Sequence, residues 1–196
     1  MITLRRPDLA DLPAYRNALL TGYSPNNLDP EFYRVELALI EADAARFITG
    51  LNDPDARGGP VRQPDGSFKP RLPSLRRWIF APDFAGSISL RWQPGTEALP
   101  PHVSGHIGYS VLASRRNQGI ATRALALILP EAAARGLRHV DIMTDPGNIA
   151  SQRVVVNNGG FLIDAADPLS PLLRYRITLA ATGAATAETP DMPIPR

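Results

Sequence analysis

Between a strand-like segment and a helix-like one, the chain places Arg115-Arg116-Asn117-Gln118-Gly119-Ile120-Ala121-Thr122. Gly105 to Leu112 alternates and ends on apolar residues, as a partly buried strand does. Thr122 to Leu129 is rich in Ala and Leu and suits a helix. Such a link delivers several free backbone N–H groups at a helix N-terminus. With the positive end of the helix dipole, those groups bind anions. Gly119 has no Cβ, so a phosphate can come close to the main chain, and Ala121 is nearly as small. Arg115 and Arg116 add positive charge at the rim, although arginines in a loop are often just solvated. The segment reads as a pyrophosphate cradle. It is not a Walker loop, since the only lysine is the distant Lys69. It is not a dinucleotide fingerprint either, since no Gly-x-Gly-x-x-Gly follows a strand.

Downstream come a short strand pattern (His139 to Thr144), Asn148-Ile149-Ala150-Ser151, a valine run, and Asn157-Asn158-Gly159-Gly160-Phe161. The spacing Arg116-x-x-Gly119-x-Ala121, followed by this order of segments, resembles the GNAT superfamily of N-acyltransferases. Their acyl-CoA loop reads Arg/Gln-x-x-Gly-x-Gly/Ala. The resemblance is strong from Gly105 to Phe161.

It implies an α/β (mixed α+β) fold, a twisted mixed β-sheet flanked by helices with a central parallel β-α-β unit that binds acyl-CoA. It implies acetyl-CoA as co-substrate, no metal, and transfer to a primary amine by direct attack in a ternary complex. Carried onto this sequence, Val111, Leu112 and Ala113 hold the pantetheine arm. Asn117, Gln118, Gly119, Ile120, Ala121 and Thr122 hold the pyrophosphate, with Arg116 at the rim. Asn148 and Ser151 lie near the pantetheine or thiol end, and Asn148 also suits a helix N-cap. Homodimers are common in the family.

Acyl transfer needs a neutral amine, a polarised thioester carbonyl and a stabilised leaving thiolate. His106 is the candidate base. It stands where many family members have a glutamate and titrates near neutrality; the bland alternative is a strand histidine that only hydrogen-bonds. The family's general-acid tyrosine position corresponds to Val155, so the expected acid is absent, and Asn157, Asn158 or water is left to donate. Tyr109 shares a face with Ile107 and Val111 and reads as core packing before it reads as a pocket wall. Trp78 and Trp92 read as packing, and Arg76-Arg77 as a solvated face. The competing readings are a non-catalytic acyl-CoA sensor or regulatory module of the same fold, and an unrelated phosphate-binding α/β protein.

Length and composition fit one soluble domain, residues 1–179, with a long surface loop at 52–73 and a disordered tail at 180–196. The chain has no cysteine, which excludes disulfides, a thiol nucleophile and thiolate metal sites. His102, His106 and His139 show no metal-ligand spacing. A net charge of +2 gives no reason to invoke nucleic acid, despite a pI near 9.3. No apolar stretch reaches membrane length, so no membrane partner is expected and the cytoplasm is the default address.

Ile2 to Arg6 reads as a first strand. A helix to Leu20 follows, capped by Asp8 or Asp11, and a second starts at Asp29-Pro30 with Phe32, Val35, Leu39, Ala42 and Phe47 along one face. Leu75–Ala81 and Gly86–Trp92 form a hairpin, Pro130 kinks or divides the cradle's helix, and a late strand covers Leu172–Leu179. In the family the acceptor pocket comes from the first two helices, their connection and the late strands, so the resemblance implies Leu20–Glu36, the 52–73 loop and Leu162–Pro171 here. Asp29, Glu31 and the loop aspartates Asp53, Asp55 and Asp65 are a lure for a cationic amine or simply solvated. A peptide N-terminus, a lysine side chain, an aminoglycoside and a small polyamine stay open as acceptors.

Overall fold

The computed structural model describes residues 1–27, 29–62, 66–165 and 171–180. Strand β1 (Thr3–Arg5) leads into α1 (Leu12–Leu20), α2 (Phe32–Ala42) and α3 (Ala44–Gly50). Three two-residue strands follow: β2 (Asn52–Asp53), β3 (Val61–Arg62) and β4 (Phe68–Lys69). The hairpin β5 (Ser74–Phe80) and β6 (Phe84–Arg91) and the strand β7 (Ile107–Val111) precede α4 (Ile120–Ala133) and β8 (His139–Thr144). Helix α5 (Ile149–Val156), β9 (Phe161–Asp164) and β10 (Leu173–Thr178) complete the described chain.

One sheet runs β1-β5-β6-β7 with β2 on β5, and a second runs β8-β10-β9; β3 and β4 pair as a ribbon. Every ladder is antiparallel. The expected parallel ladder between β7 and β8 is not formed among the described residues. Among the described residues the strands are hydrogen-bonded at one pair, where His106 N–H donates to the Asp141 carbonyl at 2.7 Å and Asp141 N–H donates to His106 Nδ1 at 3.0 Å. Alternation within a strand is the same whether its edge is paired or open, so the sequence pattern did not carry this separation.

Helices cover both faces, as expected. On one, Leu75, Ile79, Ile88 and Leu90 pack with Ala124, Leu125 and Ile128 of α4. On the other, Trp78, Phe80 and Phe84 pack with Tyr15, Leu19 and Phe47. Trp78 stacks on Tyr15 at 4.7 Å between ring centroids, with Phe84 edge-on to Tyr15 at 5.4 Å. A face-alternating strand between two helical layers explains a correction. Arg76 and Arg77 are not solvated: Arg76 ion-pairs with Glu36 at 2.7 Å on one face, and Arg77 with Glu131 at 2.6 Å on the other.

Other expectations shift locally. The second helix breaks at Asp43, which is extended and accepts from Arg46 N–H to cap α3. Asp29 lies outside α2 and accepts from Glu31 N–H in the turn before it. The buried face of α2 carries Glu36 and Ile40, while Val35 and Leu39 are half exposed. The ion pair with Arg76 makes burial of Glu36 tolerable and turns the helix by about one residue, roughly 100°. Asp11 is the α1 N-cap residue without a capping bond, since Arg5 engages its carboxylate, and Asp8 accepts Asp11 N–H instead. Helix α4 runs through Pro130 undivided. Pro130 and Ala126, whose carbonyl loses its partner, are both exposed, so water can replace the missing bond. The 52–73 segment holds β2, β3 and β4 rather than loop alone. The late strand is found at its expected place. Residues 181–196, Asp65 and residues 166–170 of the expected acceptor region lie outside the described residues.

Candidate functional site

The segment expected to hold the pyrophosphate folds as a turn leading into a helix. After β7 the chain makes a 3-10 turn (Ala113–Arg115), turns through Asn117 and Gly119 with positive φ (60° and 70°), and enters α4 at Ile120. Among the described residues, no hydrogen bond leaves the N–H groups of Asn117, Gln118, Gly119, Ile120, Ala121 or Thr122. A Cβ at Gly119 would meet nothing within 4 Å, so the space over the loop is open. Arg116 lies at the rim, its Nε donating to the Val111 carbonyl at 3.4 Å. Arg115 turns away and donates to the Ala81 carbonyl.

The cradle continues into the gap between β7 and β8. Arg91 N–H donates to the His106 carbonyl and Leu112 N–H to the Ala85 carbonyl. By antiparallel alternation, even-numbered residues from 106 to 112 face β6, and the N–H groups of Tyr109 and Val111 face the gap. Asn27, from the α1–α2 connection, donates its side-chain N–H to the Tyr109 carbonyl there. Asn148 caps α5 by accepting Ser151 N–H at 3.0 Å. The Tyr109 hydroxyl and Ser151 Oγ lie 2.8 Å apart. Burial pushes the Tyr109 phenol up to about 12, against the lowering effect of Ser151.

His106 and Asn157 stand elsewhere. His106 is buried at the closed end of the gap, and its Nδ1 accepts Asp141 N–H at 3.0 Å. With His106 N–H bonded to the Asp141 carbonyl, the two residues clamp β7 to β8 reciprocally. A neutral ring bonded this way carries its proton on Nε2, so its remaining nitrogen donates rather than accepts. Burial lowers its pKa further, against the Asp141 charge. Asn157 is the exposed C-cap of α5, about 13.5 Å along the helix from Asn148. Val155 is fully buried in the core below α4.

On the α1–α2 side of the sheet lies an open cleft of about 1190 Å³. It is lined by α2, α3, β5 and β6, by Gly58, Val61 and Arg71 from the segment before β5, and by His102 and Val103. Within it Glu36 accepts from Arg76 and from the Tyr15 hydroxyl. Burial, reinforced by Glu36, raises the Tyr15 pKa well above its usual value. Arg91 reaches the cleft from β6, over Gly108 of β7. Glu36, Arg76 and Arg91 were not singled out in the sequence as site residues. Their only signal was polar character on strand and helix faces that the fold buries.

Residues 2–160 match the model of the acetyltransferase (GNAT) domain. The chain belongs to the GNAT acetyltransferase family. No curated protein sequence matches it. Its fold is similar to RimL, a ribosomal L7/L12 α-N-protein acetyltransferase solved with coenzyme A, at 18% identity and a TM-score of 0.58. That match covers 91% of this chain and 94% of RimL. The microcin C7 self-immunity acetyltransferase MccE, solved with acetyl-CoA and AMP, matches at 15% identity and a TM-score of 0.57, over 91% and 92%. Mycobacterium smegmatis RimJ, in complex with CoA-disulfide, matches at 22% and 0.57, over 90% and 81%. These likenesses carry the GNAT fold. Membership makes the chain an acyltransferase. Among its described residues no helix is long and apolar enough to cross a membrane.

Proposed function

We propose that this GNAT protein transfers an acetyl group from acetyl-CoA to a primary amine by direct attack in a ternary complex. The observation that carries the reading is the run of unbonded N–H groups from Asn117 to Thr122 at the N-terminus of α4, opening into the β7–β8 gap. In this reading the pyrophosphate sits on those groups, with Arg116 at the rim. Val111, Leu112 and Ala113 line the pantetheine arm, and Asn148 holds the turn that presents Ser151. The gap-facing N–H of Tyr109 polarises the thioester carbonyl.

The amine attacks that carbonyl, a C–N bond forms and the C–S bond breaks. The leaving thiolate takes a proton from the Tyr109 hydroxyl, which stands beside Ser151 in place of the tyrosine missing at Val155. The phenol recovers that proton from the nitrogen of the new amide, so Tyr109 relays it from nitrogen to sulfur, and with a thiol pKa of roughly 8.5 the thiolate leaves readily. Because Nδ1 of His106 is occupied, His106 serves as the strand clamp rather than the base, and the ammonium proton leaves through water in the open cleft. Asn157 takes no part.

The test is release of free CoA thiol with a panel of amines, alongside calorimetry with CoA and ATP. Turnover, with CoA binding that ATP does not displace, is expected. With this proton path kcat/KM rises with pH toward the pKa of each amine, rather than levelling at one enzyme pKa. Binding without turnover would favour the acyl-CoA sensor, a reading that the buried Val155 supports. No CoA binding would overturn both.

A further inference from the structure

Among the described residues, the open cleft holds a cation with no counter-charge bonded to it. Arg91 is partly buried on β6, and among the described residues its side chain has no hydrogen bond or ion pair. The charge that acts on it is another cation, Arg76, whose own charge is already matched by Glu36. Burial and the Arg76 charge lower the Arg91 pKa. A half-buried guanidinium beside a like charge is unfavourable unless an anion joins it. Around it the cleft is lined by Arg46 and Arg71 as well. Arg46 forms no side-chain bond among the described residues, and Arg71 donates to the Gly59 carbonyl at 2.9 Å with Asp53 3.8 Å away. Four arginines face two carboxylates, Glu36 and Asp43. Such a wall repels polyamines and aminoglycosides and attracts oxyanions.

The position of Arg91 bears on the chemistry. Its Nη2 lies 3.4 Å from where a Cβ of Gly108 would stand. Gly108 has no side chain, so the guanidinium covers the middle of β7. One residue further, about 3.4 Å along the strand, is Tyr109, whose N–H faces the gap.

We propose that Arg91 binds an oxyanion carried by the acceptor itself, so that the substrates are short amines bearing a carboxylate or a phosphate. This rests on the acetyl-transfer reading above. The short path from Arg91 to the Tyr109 N–H asks for amine and anion on one small skeleton, as in an amino acid or an aminoalkyl phosphate. A planar guanidinium takes either oxyanion bidentately.

The experiment measures acetyl transfer to β-alanine, phosphoethanolamine, ethanolamine and spermidine. In parallel, each amine is titrated by calorimetry into the CoA-loaded protein, for the native chain, Arg91→Met and Arg91→Lys. The expected result is a kcat/KM at least tenfold higher for β-alanine or phosphoethanolamine than for ethanolamine or spermidine. In Arg91→Met that ratio falls to about one through KM, and in Arg91→Lys it is partly restored. Whichever of the two anionic amines wins names the oxyanion. A preference for spermidine or ethanolamine, or an anion preference that survives Arg91→Met, overturns the proposal. If no amine is acetylated while CoA still binds, the acetyl-transfer reading fails. The anion site is then judged by calorimetry: anionic amines that bind the native chain but not Arg91→Met sustain it, and no binding overturns it.

Discussion

Replacing Gly119 and Gly136 by alanine, one at a time, separates a ligand cradle from an ordinary turn. Both glycines have positive φ (70° and 82°), and at both a Cβ would meet nothing within 4 Å. The backbone penalty is therefore nearly the same. A left-handed L-residue costs about 1–2 kcal/mol, offset in part by about 0.4–1 kcal/mol through the stiffer unfolded chain. A net loss of about 1 kcal/mol lowers the Tm of a chain this long by about 2–4 °C in either variant. Binding is where they part. At Gly119 the methyl stands over the unbonded N–H groups, where phosphate oxygens approach, and displaces one charge-assisted bond of about 1.5–3 kcal/mol. At 1.4 kcal/mol per decade, CoA binds about 10- to 100-fold more weakly. Gly136, beyond the far end of α4, leaves the affinity alone. Thermal melts and calorimetry with CoA read both quantities on the same samples. A Gly119→Ala dissociation constant within about threefold of native, with a melting loss equal to that of Gly136→Ala, would refute the cradle.

Other perturbations probe the rest of the site. Glu36→Gln leaves Arg76 buried without its partner and should cost about 3–5 kcal/mol in urea unfolding, with Arg76→Met in the same chain restoring part of it; a loss below about 1 kcal/mol would show the pair to be dispensable. Tyr109→Phe should lower kcat about 10²-fold while CoA affinity holds, and an unchanged kcat removes the phenol from the mechanism. The depressed pKa of His106 means that the unfolded chain takes up its proton first as pH falls. Native stability is thus complete above about pH 6.5 and declines below it, at first without Asp141, whose own depressed pKa acts at lower pH. His106→Gln should flatten the decline between about pH 6.5 and 4.5, measured by urea unfolding, and an equally steep decline in that variant would reassign it to other groups.

The turn and helix start between Arg116 and Thr122 were legible because loop, glycine and helix are local, stated within one turn of chain. Asn148 as a cap and Gly159-Gly160 as a helix stop are legible for the same reason. What the sequence hid depends on partners far away in the chain. Glu36 meets Arg76 across 40 residues, and Tyr109 meets Ser151 across 42. Periodicity reports that a position is polar, not that a partner waits for it, so Arg76-Arg77 looked like solvated surface. His106 was noticed as a titrating side chain in a suitable place. Its tautomer is set by the backbone of Asp141, which spacing along β7 does not encode. The split at Asp43 was hidden because α2 and α3 share a similar apolar period.

The His106–Asp141 clamp also sets a lever. Among the described residues β7 and β8 exchange hydrogen bonds at one residue pair, which has the geometry of a hinge with its pin at the buried end. Five residues separate the pin from the mouth at Val111, an arm of about 17 Å. A rotation of about 5° at the pin would move the mouth by about 1.5 Å, while no ladder hydrogen bond in either sheet need break. The width of the groove is thus governed from its narrowest point, far from the rim where the ligand enters.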